Sequence, residues 1–589
     1  MEQRTRQMTD DTGGHTPDQP PDEVEQWRKA VQDKMRGTNP PPDNRAAGNS
    51  GNQGDGASNQ PEPTATGNGT STIGGLEQPD IKDDERIIEV DGRLELSDGN
   101  IAKYLAVHEF RGELCWTKND GWRTWTGQVW QRVSDERVAE DIRSWVFTFR
   151  MAEQVNSPGW NATRASRVAN IQRTAARIRS IRTFLTGMLE VNPKEFDQHP
   201  DLLNVGNGIV DLQTKELLDY DSSFMFTKMT PVCYIPGAQH ADWDTALSAL
   251  PDDATRKMMQ RRAGQSATGH PPPDDSMLFL RGHGSNGKTT ILAPWQLALG
   301  DFAVTIDERV LQGSMGDHPT EFTVLNGVRF AVMDELPEGG INVARMKKSQ
   351  SGGNTMTARK MRQDADSFEL MHSLVISTNH RHDVNASDHG TWRRMIEVPF
   401  PYRYRKEYEE LIGDNDVYGD PGLRNRMRYG QEQLEAVLAW IIDGAAEWYA
   451  NDQEFGPLPL AVATATERWR LQSDVILAYY RLRLIADKDW HIATADLADN
   501  FSDWLMAGGD KSWSARTSSI RFAAHEVFEN NDIRTERIRA DQKTGTRRSD
   551  RPDSMGVQLL STSKGRYNAF VGVRFRTEAD PDPEIEDFH

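Results

Sequence analysis

Residues 280–291 read LRGHGSNGKTTI, and their reading decides the fold of the region around them. The apolar run just before, SMLFL, has the length and composition of a buried strand, and ILAPWQLALG after it begins as a helix does. Glycines on a strand-to-helix turn let the backbone curl so that successive N–H groups point at one anion. Gly282, Gly287, Lys288 and Thr289 satisfy the phosphate-loop pattern G-x-x-x-x-G-K-[ST], with Gly284, Ser285, Asn286 and Thr290 completing the cradle. Lys288 is expected to neutralise the β- and γ-phosphates of a nucleotide and Thr289 to ligate Mg²⁺, while the helix N-terminus adds partial positive charge.

A phosphate loop needs a second acid to hold the metal and prepare a water. VRFAVMDELPEGG offers an apolar strand ending in Asp334 and Glu335. Asp334 is expected to hold Mg²⁺ through water, and Glu335 to act as general base on the attacking water. A further apolar strand, SLVISTN, ends in Asn379, whose neutral amide orients a water or senses the γ-phosphate without adding negative charge. DHGTWRRMIEVPF then places Arg393 and Arg394 before another strand, where an arginine can reach a neighbouring subunit's site.

The chain has 589 residues, enough for several domains, and a formal net charge of -20. An acidic total argues against a nucleic-acid partner only if the whole surface is used; a protein that encloses a strand needs cations along its inner wall alone. INVARMKKSQSGGNTMTARK, residues 341–360, carries five cations and no acid, which makes it the candidate wall. Its two cysteines, Cys115 and Cys233, support neither a disulfide framework nor a zinc site, and no apolar run reaches membrane-spanning length. With no charged-then-apolar leader, a cytoplasmic location, in a bacterial host, is expected.

Residues 1–80 are rich in Gly, Pro, Asn and Gln and read as a disordered tail. Residues 113–133 place Trp116, Trp122, Trp125 and Trp130 around turn signals, as in a small sheet whose thin core the rings fill. Residues 162–189 read as one basic amphipathic helix with six arginines, and LLNVGNGIVDL as a hairpin. PPPDD at 271–275 breaks the chain just before the nucleotide region.

In this order and spacing, the phosphate loop, MDEL, SGGNTMTARKM, STNH and GTWRRMIEVPF resemble a superfamily 3 helicase of the phage and plasmid primase family, related to the poxvirus primase-helicase. The resemblance covers roughly residues 95–470. It implies an α/β fold with an AAA+ P-loop ATPase core (241–405), a mainly helical N-terminal domain (81–240), a helical subdomain (406–465) and a C-terminal winged-helix-like domain (466–589). It also implies a ring, usually a hexamer, that hydrolyses ATP with Mg²⁺ and draws single-stranded DNA through its channel, 3′ to 5′. By that likeness Glu335 is the catalytic acid, Asn379 the sensor and Arg394 the finger acting in trans, with Arg393 in reserve.

The stretch 351–363 resembles the segment leading into the family's DNA-gripping hairpin, so Lys347, Lys348, Arg359, Lys360 and Arg362 are the expected DNA contacts. Beyond residue 465, helices followed by a hairpin suggest the winged helix, with Arg534, Arg537, Arg539 and Lys543 facing a duplex. Many relatives carry a primase module ahead of the helicase; the low-complexity N-terminus here leaves primer synthesis unexpected, and a separate primase or polymerase is the expected partner. The competing reading is a nucleotide-controlled DNA clamp or origin-binding initiator without processive unwinding.

Overall fold

The computed structural model describes residues 87–90, 93–118, 120–156, 162–312, 319–336, 339–349, 355–358, 366–384, 389–539, 566–577 and 579–581. The tail at 1–80 and the cations Arg359, Lys360, Arg362 and Lys543 lie outside them.

The central unit is a five-stranded parallel sheet. Its elements are β1 (Met277–Arg281), α1 (Lys288–Leu299), β2 (Ala303–Thr305), β3 (Phe330–Leu336), α2 (Val343–Ser349), β4 (Ser373–Thr378) and β5 (Met395–Pro399). The spatial order is β2-β3-β4-β1-β5, so the phosphate-loop strand lies between β4 and β5. Parallel strands covered on both faces read as nearly continuous apolar runs, which MLFLR, SLVIST and MIEVP are. Successive side chains point to opposite faces: Leu278 and Leu280 join the core that contains Trp295, Met259 and Ile441, whereas Met277 and Phe279 join the one with Trp469 and Phe322.

The first of these cores ties the sheet to its helical flank. Helices Asp253–Gln265 and Gln431–Ala450 cross backbone to backbone, because a Cβ on Gly264 would lie 2.0 Å from the Ala445 nitrogen and one on Gly444 2.1 Å from the Gln260 carbonyl oxygen. Only glycine permits that approach. On the other face Trp469, from helix Leu460–Ser473, packs edge-on against Phe279 at 4.8 Å and against Trp392 at 5.7 Å.

N-terminal to the sheet, strands Leu114–Thr117, Gly121–Trp125 and Trp130–Val133 form the tryptophan-rich antiparallel unit, with Trp122 and Trp130 fully buried. LLNVGNGIVD forms the hairpin Leu202–Val205/Gly208–Asp211. The single basic helix expected over 162–189 is instead two, Ala162–Arg173 and Ala175–Met188, broken at Thr174 where ψ reaches 102°. Three of its six arginines are engaged within the chain: Arg177 donates to Asp98 at 2.7 Å, Arg182 pairs with Asp135 at 3.0 Å and Arg164 donates to the Leu94 carbonyl.

C-terminal to the sheet, helices Val475–Arg483, Thr494–Ala507, Ala515–Ala523 and Glu526–Asn530 pack on a three-stranded antiparallel sheet. Its strand order is Leu484–Ala493, Arg566–Phe575, Arg534–Arg539. Of the hairpin strands expected from the sequence, YNAFVGVRF lies within Arg566–Phe575 and VQLLS lies outside the described residues; neither Leu484–Ala493 nor Arg534–Arg539 was anticipated as a strand. Tyr479, Phe501, Phe522, Phe528 and Phe570 fill its core. Among the described residues no helix is long and apolar enough to cross a membrane.

Candidate nucleotide site

The loop 282–287 is built for close approach. Gly284 has φ +91° and Gly287 φ +87°, and a Cβ on Gly287 would stand 2.7 Å from the Ala249 Cβ, so this position accepts no side chain. Asn286 donates from its amide to the Phe400 carbonyl at 3.2 Å, and the Tyr404 backbone N–H donates to the Ser285 carbonyl at 2.8 Å. The loop is therefore pinned to the segment that follows β5, and its curvature does not depend on a ligand.

Lys288 opens α1 and is buried. Its Nζ donates to the Gly282 carbonyl at 2.6 Å and to Asn379 Oδ1 at 3.0 Å. Burial pulls its pKa down to about 8, with Arg281 pushing the same way and the carboxylates of Glu335 and Asp334 opposing. His283, inside the loop, is also held below its usual pKa, first by desolvation and then by Arg281, Arg403 and Lys288. The loop thus carries a concentrated positive field in a chain whose total charge is -20.

β3 and β4 are in register as far as Met333/Ile376 and resume at Leu336/Thr378, so Asp334 and Glu335 bulge out of the ladder. Both carboxylates are exposed, and Glu335 takes the left-handed conformation, φ 61°. Asn379 stands at the end of β4, and its Nδ2 donates to Glu335 Oε1 at 3.3 Å. One side chain thus spans from the loop lysine to the acid pair. These groups, with Thr289, Thr290 and Ser377, face one cleft of about 430 Å³.

Residues 103–250 match the family model described as D5 N terminal like, and residues 280–394 match a family of unknown function, DUF5906. The protein 022R of frog virus 3 (isolate Goorha), named as a helicase, is 28% identical over 269 residues, covering 44% of this chain and 27% of that relative. C962R of African swine fever virus (isolate Warthog/Namibia/Wart80/1980), named as a primase, is 28% identical over 335 residues, 53% of this chain and 34% of the relative. In sequence, the chain is similar to viral proteins named as helicases and primases. L207/L206 of Acanthamoeba polyphaga mimivirus, named as a helicase, matches at 22% identity over 474 residues, 73% of this chain and 48% of the relative. The chain spans between about a quarter and a half of the length of these curated relatives. Among solved structures, an apo form of the NrS-1 C-terminal region covers 80% of this chain and 99% of its own, at 9% identity and a TM-score of 0.42.

The remaining sequence candidates are placed elsewhere. Arg394 donates to Asp275 at 3.1 Å and to the Gly390 carbonyl at 2.6 Å, folded against its own body, whereas Arg393 is 47% exposed and only 3.8 Å from Asp275. Both precede β5 at the end where Met277 begins β1, the opposite end of the sheet from the loop. The five residues of β1 span about 16 Å, beyond the reach of an arginine in the same subunit. Lys347 and Lys348 are exposed on α2. Arg345, counted in the cationic stretch, is buried instead, with its guanidinium 5.6 Å from the Phe322 ring centroid.

Two groups of residues carry no motif. The far wall of the cleft comes from residues 404–406 and 418–424, including Tyr404, Lys406, Tyr418 and Arg424. Beneath the loop, buried Glu397 accepts from Arg281 at 2.5 Å and from Arg381 at 2.8 Å, which locks the end of β1 to the chain leaving β4. A buried carboxylate between two guanidiniums is costly to break. The sole sequence hint was the aromatic and basic PYRYR following β5.

Proposed function

We propose that this chain is an ATP-dependent DNA helicase of superfamily 3 type, which hydrolyses ATP between subunits of a homo-oligomeric ring and translocates on single-stranded DNA. The observation that carries the reading is the chain Lys288–Asn379–Glu335, collected at the ends of β1, β4 and β3 around one cleft. Ligands of open parallel sheets bind at the carboxyl ends of the strands, where this cleft lies. The strand order supports an AAA+ core, and the C-terminal helices with their antiparallel sheet support a winged-helix module whose exposed Arg534 and Arg537 meet a duplex. Names of the viral relatives point the same way.

Among the described residues no group of three or more His, Cys, Asp or Glu surrounds a metal position. Thr289 and Asp334 supply two oxygen donors, which suits Mg²⁺, an ion that takes its remaining ligands from phosphates and water. The ion would supply charge neutralisation on the phosphates. The protein's own share is then positional. Loop N–H groups and Lys288 orient the triphosphate, Asn379 orients the water, and Glu335 takes the proton from that water's oxygen. Lys347 and Lys348, with Arg359, Lys360 and Arg362, would grip the strand's phosphates.

The test is ATPase activity with and without single-stranded DNA across a protein concentration series. Stimulation by DNA, with a more than linear dependence on concentration, is the expected result; a response flat in both removes the reading.

Arg393 is the better-placed finger, because Arg394 is already engaged by Asp275 and Gly390. The R393A protein is expected to lose on the order of 10³ in turnover. Mixed with K288A protein it should regain part of that activity, since some interfaces then pair an intact loop with an intact finger. Measured turnover in the mixture that never exceeds the sum of the separate proteins argues against action in trans.

A further inference from the structure

The acid pair rests on backbone that an L-residue adopts reluctantly, and the chain beyond it must hold it there. Glu335 sits in the bulge at φ 61°, and its contact with Asn379, at 3.3 Å, is already near the long limit of a hydrogen bond. A slip of a few tenths of an ångström in the outgoing loop breaks it.

Beyond the Leu336/Thr378 pair, the chain is held at Gly339 by His382. This residue is 2% exposed, and its Nδ1 lies 3.0 Å from the Gly339 carbonyl oxygen while its Nε2 lies 2.8 Å from Thr378 Oγ1. A nitrogen facing a carbonyl must carry the proton, so Nδ1–H donates to Gly339 and Nε2 meets the Thr378 hydroxyl. Thr378 is the residue before Asn379. The His382 carbonyl in turn accepts from Trp469 Nε1 at 2.9 Å, and Trp469 is wedged against Phe279 of β1. Next to this clamp Gly340 and Ile341 pair in parallel with Asp383 and Val384.

We infer that His382 is a positioning residue for hydrolysis: it ties the loop leaving Glu335 to the strand end that carries Asn379, and so sets the spacing between the two groups that handle the water. The inference rests on the hydrolytic reading above and adds a residue that belongs to none of its motifs. A purely structural role predicts lost stability without a selective loss of turnover; a positioning role predicts a fall in kcat that outweighs any change in substrate binding, because the phosphate loop, whose Gly282 N–H meets the Thr378 carbonyl at 3.3 Å, is also pinned through Asn286 and Tyr404.

The experiment is steady-state ATPase kinetics of the full chain with His382→Ala, His382→Asn and His382→Gln, alongside thermal unfolding. An asparagine amide sits where Nδ1 does and can still donate to Gly339; a glutamine amide reaches only the Nε2 position. The expected result is about a tenfold fall in kcat for the alanine and glutamine variants, with KM within about twofold of wild type, and recovery of most of the activity by asparagine. Asparagine and glutamine variants that behave alike, or a loss carried by KM, overturn the assignment, and this comparison decides even where the alanine variant fails to fold. A wild-type chain that hydrolyses no nucleotide overturns the hydrolytic reading and this inference together; hydrolysis that is indifferent to the three substitutions overturns the inference alone.

Discussion

Lys288→Ala is expected to reduce ATP hydrolysis by at least about a hundredfold and to weaken nucleotide binding with it. The ammonium is the one loop charge that is buried, pointed inward and held by two neutral acceptors, the Gly282 carbonyl and the Asn379 amide oxygen. Neither acceptor is a strong partner, so an incoming triphosphate takes the lysine over at little cost and gains a charge-assisted bond in a poorly solvated site. Removing the charge discards that gain in both ground and transition states. The fold should survive: the substitution deletes a desolvated cation, whose depressed pKa shows that burial disfavours it, so the melting temperature of K288A is not expected to fall. The same depression sets a pH signature. In the free chain Lys288 loses its proton as pH rises through about 8, while bound phosphates raise its pKa. Affinity should therefore be level below pH 8 and fall above it, by up to about tenfold per pH unit. Titrating fluorescent nucleotide between pH 7 and pH 9.5 checks the sign. An affinity that rises with pH, or K288A that retains wild-type turnover, removes Lys288 from the site.

The parts of this site legible in the sequence are those whose chemistry is local. β1, the glycine turn and α1 are adjacent in the chain, and a turn that admits no Cβ at Gly287 writes itself as glycine. β4 was legible because a strand buried on both faces is a run of apolar residues bounded by polar ones. Long-range pairing leaves no such trace. Glu397 and Arg281 are 116 residues apart, and nothing in MIEVPF announces that its glutamate is buried under the loop. The break in helix 162–189 was hidden for a different reason: Val168, Ile171, Ile178, Ile181 and Leu185 all enter one core, so the apolar spacing keeps its phase across Thr174 although the backbone does not. Arg345 shows the limit of counting charge. A run of cations says nothing about which of them the helix turns inward, and α2 turns Arg345 and Met346 into the core while Lys347 and Lys348 face out.

Glu335→Gln should separate binding from chemistry. Its carboxylate is exposed to the cleft and accepts from the neutral Asn379 amide, and glutamine keeps an oxygen that can accept the same bond at 3.3 Å. The two side chains also face the same left-handed backbone strain at φ 61°. What changes is basicity: an amide cannot take a proton from water. Loss of a general base lowers turnover by about 10² to 10⁴, while removing a negative charge beside the phosphates leaves nucleotide affinity equal or tighter. The variant is therefore expected to bind nucleotide, to assemble on single-stranded DNA and to remain there without displacing a complementary strand. Strand displacement, nucleotide affinity and retention on DNA measured side by side distinguish a motor from a clamp. A clamp needs only the bound state, so undiminished biological output from E335Q, with hydrolysis gone, would transfer the assignment from translocation to nucleotide-controlled assembly.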